Sequence, residues 1–255
     1  MGCQRRCARM VDAVLRTAQD DADVLGLGNL ERLGPHTSSK PQFTWGRPVS
    51  SLCPPSRDLK SQPLESPSMT RLLGLSGSLR RASKCTAVLH GLRDALAPKA
   101  ALDIFPLHGI PLYNEDDDGE HTPESVRALR LAIAASDGVV LISPEYNHGM
   151  SGVLKNALDW ASRPFGRSTL ARKPVLTMTA SPAFTGGVRA QQQMNETLAS
   201  IPVRPVLRPQ IVIGGVHERV RDGHSIDEAV LSFALAGVDD LLEEIRTARS
   251  VRSVA

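Results

Sequence analysis

The sequence predicts a three-layer α/β domain in which helices cover both faces of a doubly wound, five-stranded parallel sheet. From residue 70 onward, short apolar runs alternate with segments that carry apolar residues at helical spacing. The short runs are apolar on both faces, which is typical of parallel strands buried between two helical layers. Right-handed crossovers between successive strands then produce the doubly wound arrangement.

Five strand–helix units follow one another along the chain. The predicted strands cover residues 71–75, 101–105, 138–143, 174–180 and 204–213. The predicted helices cover residues 84–97, 123–136, 151–162, 187–200 and 226–249. The second helix has a typical start, because Thr122 is expected to cap it, Pro123 suits the first turn and Glu124 favours the helix dipole.

Residues 1–68 have a different composition from the rest of the chain. The segment 33–68 is rich in proline and serine and poor in apolar residues, so we expect residues 1–68 to be an extension that is largely disordered. Met69 stands directly before the first predicted strand. This position raises the hypothesis that translation begins at Met69, with residues 69–255 as the complete domain.

Composition and charge exclude several classes of function. The formal charge of +3 is too small to indicate binding to nucleic acid or to an anionic membrane. No apolar run approaches the roughly 18 residues that a membrane-spanning helix needs. The four cysteines form no CxxC pair, which indicates free thiols and a cytoplasmic location, and no metal site is expected.

A polar loop follows the third predicted strand, at the edge of the sheet where open parallel sheets bind ligands. Residues 143–160 read SPEYNHGMSGVLKNALDW, so the loop offers backbone N–H groups, a phenol, an amide and an imidazole. These groups suit a ligand that is flat and polar. The alternative for Tyr146 is simple packing, and the alternative for His148 is a hydrogen bond to the backbone.

The loop after the first strand reads Ser-Gly-Ser-Leu-Arg-Arg-Ala-Ser over residues 76–83 and leads into a helix. Its hydroxyls, an arginine and the N–H groups of a helix start suit a phosphate monoester. The loop lacks the Gly-Lys-Ser/Thr of a Walker loop and the GxGxxG of a dinucleotide fold. A capped helix with solvated arginines is the alternative interpretation.

Together these loops resemble the NADPH-dependent FMN reductase family, whose members reduce quinones, chromate and azo dyes on a flavodoxin-like fold. The pattern Pro-Glu-Tyr-Asn is met at 144–147, and Gly-x-Leu-Lys-Asn-Ala-x-Asp-Trp is met at 152–160. The stretch 181–191 is similar to the family's loop after strand four. The resemblance spans roughly residues 70–250 and implies the strand order 2-1-3-4-5.

The resemblance also implies which residues bind the cofactor. Three serines and an arginine of the first loop would hold the FMN phosphate: Ser76, Ser78, Arg80 and Ser83. The second loop would line the edge of the isoalloxazine ring: Pro144, Glu145, Tyr146, Asn147, His148 and Gly149. Ser181 and Gly187 would close the other side of the flavin. The family's first-loop pattern, Gly-Ser-Leu-Arg-x-x-Ser-x-Asn, is met at 77–85 except that Cys85 replaces the asparagine, which could donate to the phosphate region. Because a thiol is a weak donor, we expect Cys85→Asn to tighten FMN binding.

The implied activity passes hydride from NADPH, or from NADH, through flavin N5 to a quinone, chromate, azo compound or free flavin. The cofactor performs the redox step, so no catalytic residue is assigned, although His148 is a candidate proton donor. Family members form homodimers or homotetramers. Two alternatives stay open: a flavodoxin-like electron carrier that does not oxidise nicotinamide directly, and a flavin-free interaction module.

Overall fold

The computed structural model describes residues 69–221 and 225–254, so the expected extension 1–68 lies outside the described residues. The strands are β1 (Thr70–Ser76), β2 (Ala100–Phe105), β3 (Gly138–Ser143), β4 (Glu145–Tyr146), β5 (Gly149–Met150), β6 (Pro174–Ala180), β7 (Arg204–Pro205), β8 (Ile211–Ile213), β9 (Val220–Arg221) and β10 (Ser225–Ile226). The helices are α1 (Lys84–Leu96), α2 (Glu124–Ala135), α3 (Gly152–Ala161), α4 (Val188–Ser200), α5 (Val216–Arg219) and α6 (Glu228–Val254).

The main sheet is parallel and has the order β2-β1-β3-β6-β7, with β8 also paired to β6. This arrangement confirms the predicted order. The predicted strand 204–213 is the one that differs, because it is split into β7 and β8. Pro205 and Pro209 lie within this stretch, and proline cannot donate a hydrogen bond to a neighbouring strand.

Apolar side chains alternate across the sheet and form two separate cores. Leu72 and Val140 face one core, which is shared with α1 and α6, whereas Leu73 and Leu141 face the other, which is shared with α2, α3 and α4. This alternation is the period-two pattern of a strand buried on both sides. Among the described residues, no helix is long and apolar enough to cross a membrane.

Parallel pairing brings the carboxyl ends of four strands to one edge of the sheet. Ser76 of β1 pairs with Ile142 of β3, Ser143 of β3 pairs with Thr179 of β6, and Ala180 of β6 pairs with Ile213 of β8. The loops that follow these strands therefore leave the sheet side by side, as the sequence analysis requires for a shared ligand site.

The start of α2 differs from the prediction. Thr122 does not cap the helix: its hydroxyl donates to the Gly119 carbonyl at 2.8 Å and to Asp118 Oδ1 at 3.3 Å. Asp118 is partly buried and forms an ion pair of 2.9 Å with Arg130 of α2. Within residues 69–221 and 225–254, no cluster of acidic, histidine or cysteine side chains is arranged to hold a metal ion.

Asp118 should make stability depend on pH. Burial alone raises the pKa of this carboxyl, but hydrogen bonds from Arg130, the Gly119 N–H and Thr122 outweigh burial and hold the pKa below 3.8. Folding therefore favours the ionised carboxylate. Its contribution to the free energy of unfolding is present above pH 3.8 and is lost as the pH falls through the lowered pKa.

We expect Asp118→Asn to lower the free energy of unfolding at pH 7 by about 1–3 kcal/mol, because Arg130 loses its charged partner. The difference between variant and wild type should shrink as the pH falls below 4. Urea unfolding at several pH values measures both effects. A difference that stays constant down to pH 2 would contradict this account.

Candidate active site

Three loops meet at the carboxyl edge of the sheet: the β1 loop (residues 77–83), the β3 loop (residues 144–151) and the β6 loop (residues 181–187). They contain nearly all the residues that the sequence analysis selected. The exposed cations on or beside these loops include Arg80 and Arg81 of the β1 loop and Arg189 at the start of α4. Positive charge therefore predominates around the three loops, which favours an anionic ligand.

The β1 loop begins in very close contact with the β3 loop. The Gly77 N–H donates to the Ile142 carbonyl at 2.8 Å. A Cβ at position 77 would lie 2.5 Å from Ser151 Oγ and 3.2 Å from Ser143 Oγ, so only glycine fits here without displacing a serine. This contact fixes the distance between the two loops.

The predicted phosphate-binding residues divide into two groups. Ser76 and Ser83 are almost buried and already take part in the turn: Ser83 Oγ accepts from the Thr86 N–H at 3.1 Å, and Ser76 Oγ accepts from the Thr86 hydroxyl at 2.9 Å. Arg80 is exposed and Ser78 is partly exposed. Ser76 and Ser83 therefore shape the loop, and Ser78 and Arg80 face outward.

Backbone donors of the β1 loop remain available to a ligand. No hydrogen bond to another described residue takes up the N–H groups of residues 79–82, and the side chains of Arg80 and Arg81 have no ion-pair partner in the described part of the chain. Four successive N–H groups before a helix, with two guanidinium groups beside them, form a suitable cradle for an anion.

Cys85 does not lie on this surface. Its side chain is 3% exposed, belongs to the core shared with α1 and α6, and places Sγ 4.0 Å from the Ala180 carbonyl. Cys85 is the second residue of α1, and its side chain faces the sheet, whereas residues 79–82 of the β1 loop are exposed. The expected gain in FMN affinity for Cys85→Asn is not supported by this position.

The β3 loop forms a tight hairpin from β4 and β5. Tyr146 pairs with Gly149, and the two residues between them, Asn147 and His148, have φ angles of 49° and 66°. Residues with a side chain rarely adopt positive φ, and each costs of order 1 kcal/mol. Tyr146 is 52% exposed, so its ring is available to a ligand at the sheet edge.

The Glu145 side chain faces the protein and not the open edge. Its Oε2 accepts from the backbone N–H groups of Arg189 at 3.0 Å and Ala190 at 3.2 Å, and so caps α4. Gly187, the residue directly before α4, has no side chain that could cap the helix. His148 is exposed, and its ring contacts the Arg189 guanidinium, while Nδ1 lies 3.8 Å from Glu145 Oε1.

The β6 loop packs against β8 and the β3 loop. Ser181 is 6% exposed, its N–H donates to the Ile213 carbonyl at 3.0 Å, and its hydroxyl accepts from the Ala183 N–H. Gly187 has φ of 91°, and a Cβ there would lie 3.3 Å from the Glu145 Cβ. The loop thus brings Ser181 and Gly187 to the edge of the sheet, beside the β3 loop.

The contacts that hold these loops were not predicted from the sequence. Gln193 Oε1 accepts from the Met150 N–H at 2.7 Å, which ties α4 to the hairpin. Asn156 and the Trp160 indole N–H both donate to the Pro111 carbonyl, at 2.7 and 2.8 Å. These pairs are 43 or more residues apart in the chain, and spacing within one element gives no signal for them.

Comparison with known proteins identifies the family. The family model for NADPH-dependent FMN reductase matches residues 70–218, and the chain belongs to this family. A quinone reductase from Pseudomonas putida is 33% identical over 175 residues, which cover 69% of this chain and 94% of that protein. An NAD(P)H-dependent FMN reductase from Pseudomonas aeruginosa is 39% identical over 143 residues, covering 56% of this chain and 77% of the relative.

A solved structure has a similar fold. FerB, a flavoenzyme NAD(P)H:(acceptor) oxidoreductase from Paracoccus denitrificans, is 28% identical, with a TM-score of 0.63 over 69% of this chain and 99% of that chain. These findings confirm the resemblance stated from the Pro-Glu-Tyr-Asn and Gly-x-Leu-Lys-Asn-Ala-x-Asp-Trp motifs, and together with the observed strand order they confirm the predicted α/β fold class.

Burial should make Cys85 unreactive in the folded protein. Burial raises the pKa of its thiol from 9.0 to about 12, which leaves a thiolate fraction on the order of 10⁻⁴ at pH 8. We expect iodoacetamide at pH 8 to label Cys85 at least about tenfold more slowly in the native protein than in urea. Peptide mass spectrometry measures this, and equal rates in both states would contradict the assigned burial.

Proposed function

We propose that this protein is an FMN-dependent oxidoreductase that uses NADPH or NADH to reduce a quinone-class acceptor. Membership of the NADPH-dependent FMN reductase family and the quinone reductase relatives support this activity. The single observation that carries the proposal is the β1 loop, where unpaired N–H groups and two arginines stand beside the β3 loop at one sheet edge.

The residues present fit FMN at both ends. A phosphate monoester needs several donors, and the β1 loop offers the N–H groups of residues 79–82, the Ser78 hydroxyl and the Arg80 guanidinium. The ring needs a flat surface with polar groups at its edge, and the hairpin around Asn147 offers these next to the half-exposed Tyr146. Ser76 and Ser83 would contribute by holding the β1 loop in shape.

Bound FMN would supply the redox chemistry, accepting hydride from the nicotinamide and passing electrons to the acceptor. The protein's own residues would bind and orient the cofactor: the β1 loop would neutralise the phosphate, the hairpin would hold the ring edge, and Ser181 and Gly187 would close the other side of the ring. His148 lies at the exposed tip of the hairpin. There it would contact the ring edge or an arriving substrate, while the Arg189 guanidinium fixes the orientation of its imidazole.

The alternative of an electron carrier without nicotinamide oxidation is not favoured, since the relatives and the similar solved structure are named as NAD(P)H-dependent reductases. The family resemblance also supports a homodimer or homotetramer, which we propose for this chain. The cytoplasmic location indicated by the free thiols stays a prediction.

The experiment is to saturate the purified protein with FMN under anaerobic conditions and add NADPH or NADH. We expect the flavin absorbance to bleach with at least one nucleotide and to return when a benzoquinone is added. A protein that holds FMN but is bleached by neither nucleotide would be an electron carrier. A protein that takes up no FMN would overturn the proposal.

The phosphate cradle has its own test. We expect Arg80→Ala to raise the Kd of FMN about tenfold, because one charge-assisted hydrogen bond to the phosphate is lost. The Kd of riboflavin, which has the same ring and no phosphate, should change by less than about twofold. Arg93→Ala is the matched control, because Arg93 is an exposed arginine in the last turn of α1 and lies outside the β1 loop. Equal weakening of FMN and riboflavin by Arg80→Ala would contradict a phosphate contact.

A further inference from the structure

We infer that Glu145 and Gln193 act as positioning residues: they form a clamp between the β3 hairpin and α4 that holds the hairpin in the conformation able to bind a flavin. This inference rests on the proposed function. Glu145 was predicted only as part of the ring edge, and Gln193 was not predicted as a site residue. The clamp is defined here as the side-chain hydrogen bonds of these two residues across the gap between the hairpin and the helix.

Glu145 supplies the first half of the clamp. Its side chain is 15% exposed, and Oε2 accepts two backbone N–H groups from the first turn of α4, at 3.0 and 3.2 Å. A carboxylate at a helix start is stabilised by the helix dipole as well as by the two hydrogen bonds. The hairpin is thereby anchored at β4 to a helix that begins more than 40 residues later.

Gln193 supplies the second half of the clamp, with a side chain that extends from α4 to the hairpin. Its Oε1 accepts the Met150 N–H at 2.7 Å, which anchors the hairpin at β5. Gly149 makes room for this contact, because a Cβ at that position would lie 2.6 Å from the same Oε1. Each strand of the hairpin is thus fixed to α4 by one long side chain.

The hairpin needs such external support. Each of its strands has two residues, and the turn between them holds Asn147 and His148 at positive φ. An isolated two-stranded hairpin is at best marginally stable in water, and strained backbone persists only where its surroundings enforce it. Without the clamp, we expect the hairpin to populate other conformations.

Loss of the clamp should weaken flavin binding in a recognisable way. If only about a tenth of the molecules keep the competent hairpin, the apparent Kd of the ligand rises about tenfold. The hairpin would contact the ring and not the phosphate, so FMN and riboflavin should weaken by the same factor. The Arg80→Ala substitution differs because it should affect FMN alone.

The experiment measures the Kd values of FMN and riboflavin by fluorescence titration for Glu145→Ala, Gln193→Ala and the double variant. We expect each single variant to raise both Kd values about five- to tenfold, and the double variant to exceed the larger single effect by less than about twofold. Glu145→Gln and Gln193→Glu retain an acceptor oxygen and should restore binding to within about threefold.

Gln192→Ala is the matched control, since Gln192 is exposed on the same helix and its amide donates to Glu196 Oε1 at 3.1 Å instead of the hairpin. Thermal unfolding is recorded for every variant. Gln193 is exposed. If Gln193→Ala lowers the Tm but leaves the Kd values of both flavins unchanged, the clamp only stabilises the fold and the inference is overturned. If wild-type protein binds neither flavin, the proposed function itself fails.

Discussion

The geometry of the site depends on the close contact that Gly77 permits between the ends of β1 and β3. Its N–H bonds to the Ile142 carbonyl at 2.8 Å, and a Cβ would lie 2.5 Å from Ser151 Oγ. Ser151 in turn caps α3 and donates its own N–H to Ser143 Oγ at 3.0 Å. A larger residue at position 77 would displace this serine pair, and both the β1 loop and the hairpin would move with it.

The polar residues at this edge of the sheet are of two kinds: some hold the loops in shape, and others are exposed to solvent. Ser76, Ser83 and Glu145 have side chains that are nearly buried and bonded to the backbone or to other side chains, whereas Tyr146 and His148 are exposed. Buried polar groups must find partners within the protein, so the supporting residues are fixed before any ligand arrives. The donors that remain unpaired are the ones that a ligand can use.

Most of the fold can be predicted from local sequence patterns, whereas most of the contacts that hold the site together cannot. Apolar runs located four strands to within one residue at each end, because period-two burial is a local property. The split fifth strand was missed although Pro205 and Pro209 mark it. The resemblance implies that position 85 belongs to the phosphate region, but Cys85 is buried, because a motif gives order along the chain and not the direction of a side chain at a helix start. The Glu145 contact with α4 joins residues 44 apart, which only the folded chain reveals.

The motif that identified the family therefore has two physical roles. Its first part, residues 144–147, supplies the hairpin at the open edge. In its second part, Asn156 and Trp160 both bond to the Pro111 carbonyl, and the Trp160 side chain is fully buried. Tyr113 packs edge-on against that indole, with ring centroids 4.9 Å apart. A sequence can thus be recognised by residues that support a site, because Asn156 and Trp160 fix α3, which directly follows the hairpin, to the loop that contains Pro111.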